Sequence, residues 1–147
     1  MHGVRLKRGA IRLLDQLQAA GIPRALCTSS SRLVVDRHLA HGAISDRFDV
    51  IVTGDTVTNG KPHPEPYLTA AAALDVAPVA CLALEDSHNG VRSAASAGMM
   101  TIMVPDLLPA TSEMRALCLL VAPDLHEVAT LITEHFSARP LLPIKRQ

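Results

Sequence analysis

The fold class predicted from this sequence is α/β with a mostly parallel sheet, on three observations. Short apolar runs alternate with helix-like segments along the chain, the pattern of βα crossovers. The runs at 22–27, 48–53 and 79–84 each end in a polar cluster: Thr28-Ser29, Gly54-Asp55 and Glu85-Asp86. The 147 residues suffice for one domain, and they are 48% hydrophobic but only 2% aromatic. Such a core is built of Ala, Leu, Val and Ile, which suits helices layered on a sheet.

The elements follow in order. Ala10, Ile11, Leu14 and Leu17 fall on one face of a helix over 10–20, stopped by Gly21. A strand is predicted over 22–27 and a helix from about Arg32 to Ala40, ended by His41-Gly42. The next strand covers 48–53. Residues 59–66 hold three alternating prolines, Pro62, Pro64 and Pro66, and exclude regular structure. Pro66 suits the first position of a helix running to Leu74. A buried strand at 79–84 precedes a helix from about Gly90 to Ala97, ended by Gly98. A strand over 100–104 is stopped by Pro105, and a helix around 112–117 leads into Leu119-Leu120-Val121. Asp124 and Glu127 have capping-box spacing for a last helix to about His135. The core domain is predicted over 1–136. The segment 137–147, with Pro140 and Pro143, reads as a frayed tail.

Composition narrows the partners. Fourteen basic and fourteen acidic residues cancel, so no global field favours nucleic acid or an anionic membrane. No apolar run approaches the roughly 18 residues of a membrane helix, and the opening residues are too polar for a signal peptide. Three cysteines, Cys27, Cys81 and Cys118, lack metal-ligand spacing; their odd number fits buried thiols in a reducing compartment. A soluble cytoplasmic protein is the expectation.

On a parallel sheet the polar clusters share the carboxyl edge, where ligands bind in open α/β folds. Glu85 and Asp86 at such an edge suit a hard cation, Mg²⁺. For the dipeptide alone, Asp86 as a helix cap beside a solvated Glu85 is an equal alternative. Thr28 and Ser29 offer hydroxyls and backbone amides to a phosphate oxygen, although such a cluster is more often a helix cap. Lys61, on a Pro-stiffened loop, adds a compact positive charge, although a lone loop lysine is usually solvated. Gly60-Lys61 is not a P-loop, because no Gly-rich cradle precedes it. Together these groups make a phosphoryl-transfer site.

The succession Thr28-Ser29-Ser30, Gly60-Lys61-Pro62-His63-Pro64-Glu65-Pro66-Tyr67 and Leu84-Glu85-Asp86-Ser87-His88-Asn89-Gly90-Val91 resembles the haloacid dehalogenase superfamily, in its phosphatase and β-phosphoglucomutase-like group. The resemblance runs from about Leu6 to Ile132 and takes in Val104-Pro105-Asp106. It implies a three-layer Rossmann-like core, Mg²⁺ as cofactor and a small phosphorylated metabolite, such as a sugar phosphate, as partner. By position it makes Thr28 and Ser29 the phosphate-binding pair and Lys61 the lysine that stabilises phosphoryl group and nucleophile. It makes Glu85 and Asp86 the metal-binding acids and Asn89 a neighbour supporting them. His63 and His88 read as spectators, and His38 and His41 as surface residues.

Members of that superfamily begin with a strand ending in Asp-x-Asp-Gly, whose first aspartate is the nucleophile, followed by a helical cap. Nowhere in these 147 residues are two aspartates separated by one residue. The resemblance therefore implies a core without its first strand and cap, and a truncated gene model or fragment of a longer phosphatase is expected. Turnover by the covalent route is expected to be impaired. That strand belongs centrally, between the strands holding Cys27 and Cys81, which should then be unpaired or forced together. A sugar-phosphate mutase and a non-catalytic phosphate- or metal-binding module are the alternative functions.

Overall fold

The computed structural model describes residues 6–136. They fold as α1 (Ala10–Ala19), β1 (Ala25–Cys27), α2 (Arg32–His41), β2 (Val50–Val52), α3 (Glu65–Leu74), β3 (Leu82–Glu85), α4 (His88–Ser96), β4 (Met100–Met103), α5 (Ser112–Leu117), β5 (Leu120–Val121) and α6 (Leu125–Phe136). The tail predicted at 137–147 lies outside the described residues. β1 pairs in parallel with β2, and β3, β4 and β5 form a second parallel sheet in that order.

Element boundaries depart from the expectation where backbone chemistry intervenes. Val79 and Ala80 lie not in a strand but in a 3₁₀ turn, Pro78–Ala80, closed by Cys81 N–H on Pro78 C=O at 3.0 Å. Proline fixes its own φ and cannot donate to a ladder, so β3 starts only at Leu82. α3 begins at Glu65, which leaves Pro66 second in the helix, where its missing N–H still costs nothing. α4 begins at His88, ahead of the predicted Gly90, because Ser87 Oγ accepts the Gly90 N–H at 3.0 Å. At α6, Asp124 Oδ1 accepts the Glu127 N–H at 2.9 Å, one half of the expected capping box.

Helices cover both faces. On one, α1 and α6 pack Leu13, Val128 and Ile132 against Ile102 of β4, and α2 packs Val35 and Leu39 against Leu14 of α1 and Leu26 of β1. On the other, α3 and α4 pack Tyr67, Ala71 and Ala94 against Ala83 of β3, with Cys27 alongside, and Met114 of α5 meets Val91 and Met103. α1 and α3 therefore each span both half-sheets. They hold β1 and β3 apart around a cavity of about 750 Å³ lined by 25–29, 80–87, α1 and α3. Of the two arrangements expected for these strands, unpaired inner edges are what the fold shows among the described residues.

Candidate active site

The carboxyl ends of β1 and β3 face the same side, because one side chain reaches both. Lys61 Nζ donates to Cys27 C=O at 3.1 Å and forms an ion pair with Glu85 Oε1. The side chains of Lys61 and Glu85 are only 10% and 6% exposed, so the pair is shielded from water. Tyr67 Oη donates to the same Glu85 oxygen at 2.5 Å, and its ring lies 5.3 Å from the Lys61 ammonium. Burial, then the Glu85 charge, pushes the Tyr67 hydroxyl well above its usual range. The other Glu85 oxygen accepts from Ser87 Oγ at 3.4 Å and rests against Gly90. A Cβ on Gly90 would fall far inside van der Waals contact with this carboxylate. Glu85 is thus a clamped group, not the solvated one that the helix-cap alternative required.

Asp86 is not a helix cap either, since Ser87 fills that place. Its side chain is 42% exposed and meets Lys7 Nζ at 3.2 Å. Lys7 also reaches Asp106 at 3.2 Å, so one ammonium bridges the carboxylates that follow β3 and β4. Glu85 and Asp86 are the pair expected to hold Mg²⁺, an ion that takes one or two protein carboxylates and completes its shell with water and substrate phosphate. An all-protein cage is absent: among the described residues no three His, Cys, Asp or Glu cluster to hold a metal.

After β1, Thr28 Oγ1 accepts the Ser30 N–H at 3.1 Å, while Ser31, not Thr28, caps α2 by accepting the Val34 N–H at 3.4 Å. Thr28 is half-buried and Ser29 exposed. Gly54, after β2, donates to Ser30 C=O at 2.8 Å, and a Cβ there would collide with the Ser29 carbonyl. Only glycine lets the two loops approach this closely.

Asp55 secures the same loop. It accepts the Thr53 hydroxyl at 2.5 Å and the Arg32 N–H at 3.2 Å, and these two bonds hold its carboxyl below the usual carboxylate range. A lowered folded-state pKa contributes stability above the unfolded value of about 4, lost as pH falls through the folded value. The expected outcome is a steeper acid limb for the wild type than for Asp55→Asn. Urea midpoints measured from about pH 5 downward check it.

Asn89 is exposed and its Oδ1 accepts from Arg92 Nη1 at 2.9 Å, on the side of the Arg92–Glu113 pair rather than of Lys61. His63 Nδ1 accepts the Glu65 N–H at 3.0 Å, and His88 Nε2 meets Pro109 C=O at 2.9 Å; His38 and His41 are exposed. The cysteines are free thiols, half-buried rather than buried as expected. Burial pushes Cys27 up to about 11; Lys61 opposes this and Glu85 adds to it.

With this geometry in view, the sequence profile of the "Haloacid dehalogenase-like hydrolase" family matches residues 1–104. The chain belongs to that family. It is 43% identical over 112 residues to a probable pseudouridine-5'-phosphatase of Drosophila melanogaster, covering 72% of this chain and 48% of that one. It is also 43% identical over 96 residues to the β-phosphoglucomutase of Bacillus subtilis, covering 65% and 42%. A CbbY variant from Rhodobacter sphaeroides, in complex with xylulose-(1,5)bisphosphate, superposes with a TM-score of 0.78 at 32% identity, over 86% of this chain and 57% of that one. The chain spans about half the length of the relatives it matches.

Sequence reading assigned no role to Tyr67, Gly90, Gly54 or Lys7. Tyr67 and Gly90 stand in the quoted motifs and Gly54 in the polar cluster after the 48–53 run, and an aromatic hydroxyl three residues after the Pro64 turn is a usable signal for a buried acceptor. Lys7 carried none, because its partners lie 79 and 99 residues away in the chain.

Proposed function

We propose that this chain carries the phosphate- and metal-holding half of a Mg²⁺-dependent phosphatase acting on a small phosphorylated metabolite such as a sugar phosphate. The observation that carries the reading is the meeting of Lys61, which links the ends of β1 and β3, with Thr28-Ser29 and Glu85-Asp86 at one sheet edge. Thr28, the backbone amides after it and Lys61 bind the phosphate oxygens and spread their charge. Glu85, clamped by Tyr67, positions the Lys61 ammonium. Asp86 holds the metal, with Glu85 acting directly or through water, while the supporting role expected of Asn89 is not kept, because its side chain turns to Arg92; when bound, Mg²⁺ shields the phosphate charge from an incoming anion. The nucleophile is an aspartate supplied from outside residues 1–147. Its oxygen attacks phosphorus, the ester P–O bond breaks and the departing oxygen takes a proton from solvent to leave as the alcohol. Water then attacks the aspartyl-phosphate, releasing phosphate and restoring the carboxylate. The reaction belongs in the cytoplasm. Similarity to β-phosphoglucomutase favours a mutase as second reading.

Mn²⁺ titration followed by electron paramagnetic resonance, with and without inorganic phosphate, tests the holding half. The reading expects each ligand to tighten the other and Asp86→Ala to remove Mn²⁺ binding. Binding unchanged in Asp86→Ala would contradict it. Lys7 gives a further expectation. Its ammonium competes with the metal for Asp86, so Lys7→Met should tighten Mn²⁺ by roughly tenfold to thirtyfold, as expected for a unit charge about 4 Å from a divalent ion in a largely aqueous setting. The same titration checks it.

A further inference from the structure

The sequence contains two asparagines, Asn59 and Asn89, and glycine follows each. In an Asn-Gly pair the glycine nitrogen attacks the asparagine carboxamide more readily than any other residue's would, because no Cβ crowds it. Both asparagines are exposed, so water reaches both. The two sites differ in the freedom of the attacking nitrogen.

At Asn89 that nitrogen is held. Asn89 and Gly90 lie in the first turn of α4, and Gly90 N–H donates to Ser87 Oγ at 3.0 Å. Asn89 Oδ1 is tied to Arg92, and buried Gly90 rests against the Glu85 carboxylate, which leaves its peptide unit no room to turn. Helical ψ also keeps the carboxamide carbon away from the following nitrogen. At Asn59 none of this applies. Asn59 and Gly60 belong to no helix or strand, and among the described residues no acceptor meets Gly60 N–H and no group binds the Asn59 carboxamide. A Cβ on Gly60 would meet nothing within 4 Å, so this peptide unit has space to rotate.

We propose that Asn59 is a site of spontaneous, fold-selected deamidation that reshapes the loop delivering Lys61. Gly60 nitrogen gives its proton to hydroxide and attacks Asn59 Cγ. A C–N bond forms, and the carboxamide nitrogen takes a proton and leaves as ammonia. Water then opens the succinimide ring. Cleavage at the former backbone carbonyl leaves isoaspartate, with the chain running through the old side chain; cleavage at Cγ leaves aspartate. The consequence falls on Lys61, because the loop is pinned on either side of it. Asn59 N–H donates to Glu65 Oε2 at 2.9 Å, and His63 C=O accepts from Ser93 Oγ at 2.6 Å. Isoaspartate inserts one backbone atom between these anchors, roughly 1.5 Å of chain. Its new carboxylate also faces the charge of Glu65, which holds its own N–H. Conversion therefore shifts Lys61 from the place where it meets phosphate. That consequence rests on the phosphatase reading above; the modification itself does not.

The test ages the 147-residue chain in warm, mildly alkaline buffer, folded and in urea, and follows both asparagines by mass-spectrometric peptide mapping. In the folded chain Asn59 should convert at least about tenfold faster than Asn89, and in urea the two should convert alike. Gly60→Ala, whose methyl group has room, should slow Asn59 by about tenfold by crowding the nitrogen. Equal rates in the folded chain, an Asn59 that stays intact, or a lag at Asn89 that persists in urea overturns the proposal. Titration with inorganic phosphate reads the consequence. The aged wild type should bind it about tenfold more weakly than the fresh chain, while aged Gly60→Ala binds as its own fresh form does. Selective conversion with phosphate affinity unchanged overturns the displacement of Lys61. Selective conversion in a chain that binds no phosphate even when fresh supports the modification site and removes the phosphatase reading.

Discussion

Replacing Glu85 by alanine is expected to destabilise the fold by about 3–5 kcal/mol, the usual cost of leaving one charge of a buried ion pair alone. Lys61 would lose its anion while its side chain stays almost wholly shielded, and Tyr67 Oη would lose its acceptor in the core. Both losses are local to the junction of β1, β3 and α3, so the urea m-value should hold while the midpoint falls. Glu85→Gln keeps an acceptor for Tyr67 but removes the charge, and its cost should be intermediate. Urea unfolding of the three proteins measures this. A loss under 1 kcal/mol for Glu85→Ala would show that the pair is open to water.

Gly90→Ala should cost nearly as much, for a reason that gives it a distinctive signature. Its methyl group would occupy the space of the Glu85 carboxylate, which must swing away and release Lys61. In the wild type the substitution therefore breaks the same pair, at about 3 kcal/mol. With Glu85 already replaced by alanine there is no carboxylate to displace. Gly90→Ala should then be neutral or stabilising by about 0.5–1 kcal/mol, the ordinary gain of alanine over glycine in a helix. The double-mutant cycle thus predicts a coupling of several kcal/mol. Additive effects would mean that Gly90 acts through something other than Glu85.

Local chemistry made much of this fold legible. α5 occupies the predicted 112–117, and Gly21, with φ 67°, ends the region of α1 as its conformational freedom allows. Strand bounds were less legible, because Ile22, Phe48 and Val79 are as apolar as the ladder residues beside them. Only backbone constraints such as Pro78 separate the two. The gathering of polar clusters at one edge followed from the topology. The bonds inside the site did not: Tyr67 on Glu85, Gly90 beneath it and Lys7 across Asp86 and Asp106 are tertiary contacts that no sequence period marks.

Thr28, Ser29, Lys61 and the Glu85–Asp86 edge are proposed to hold a phosphate and a divalent cation together. Amide and side-chain NMR shifts of the 147-residue chain, titrated with inorganic phosphate in the presence of Mg²⁺, test it most directly. The account predicts saturable shifts concentrated at Thr28–Ser30, at Lys61 and at Glu85–Ser87, lost in Lys61→Ala and Asp86→Ala. Shifts centred elsewhere, such as the exposed Arg92–Glu113 pair, or shifts that survive both substitutions, would contradict it.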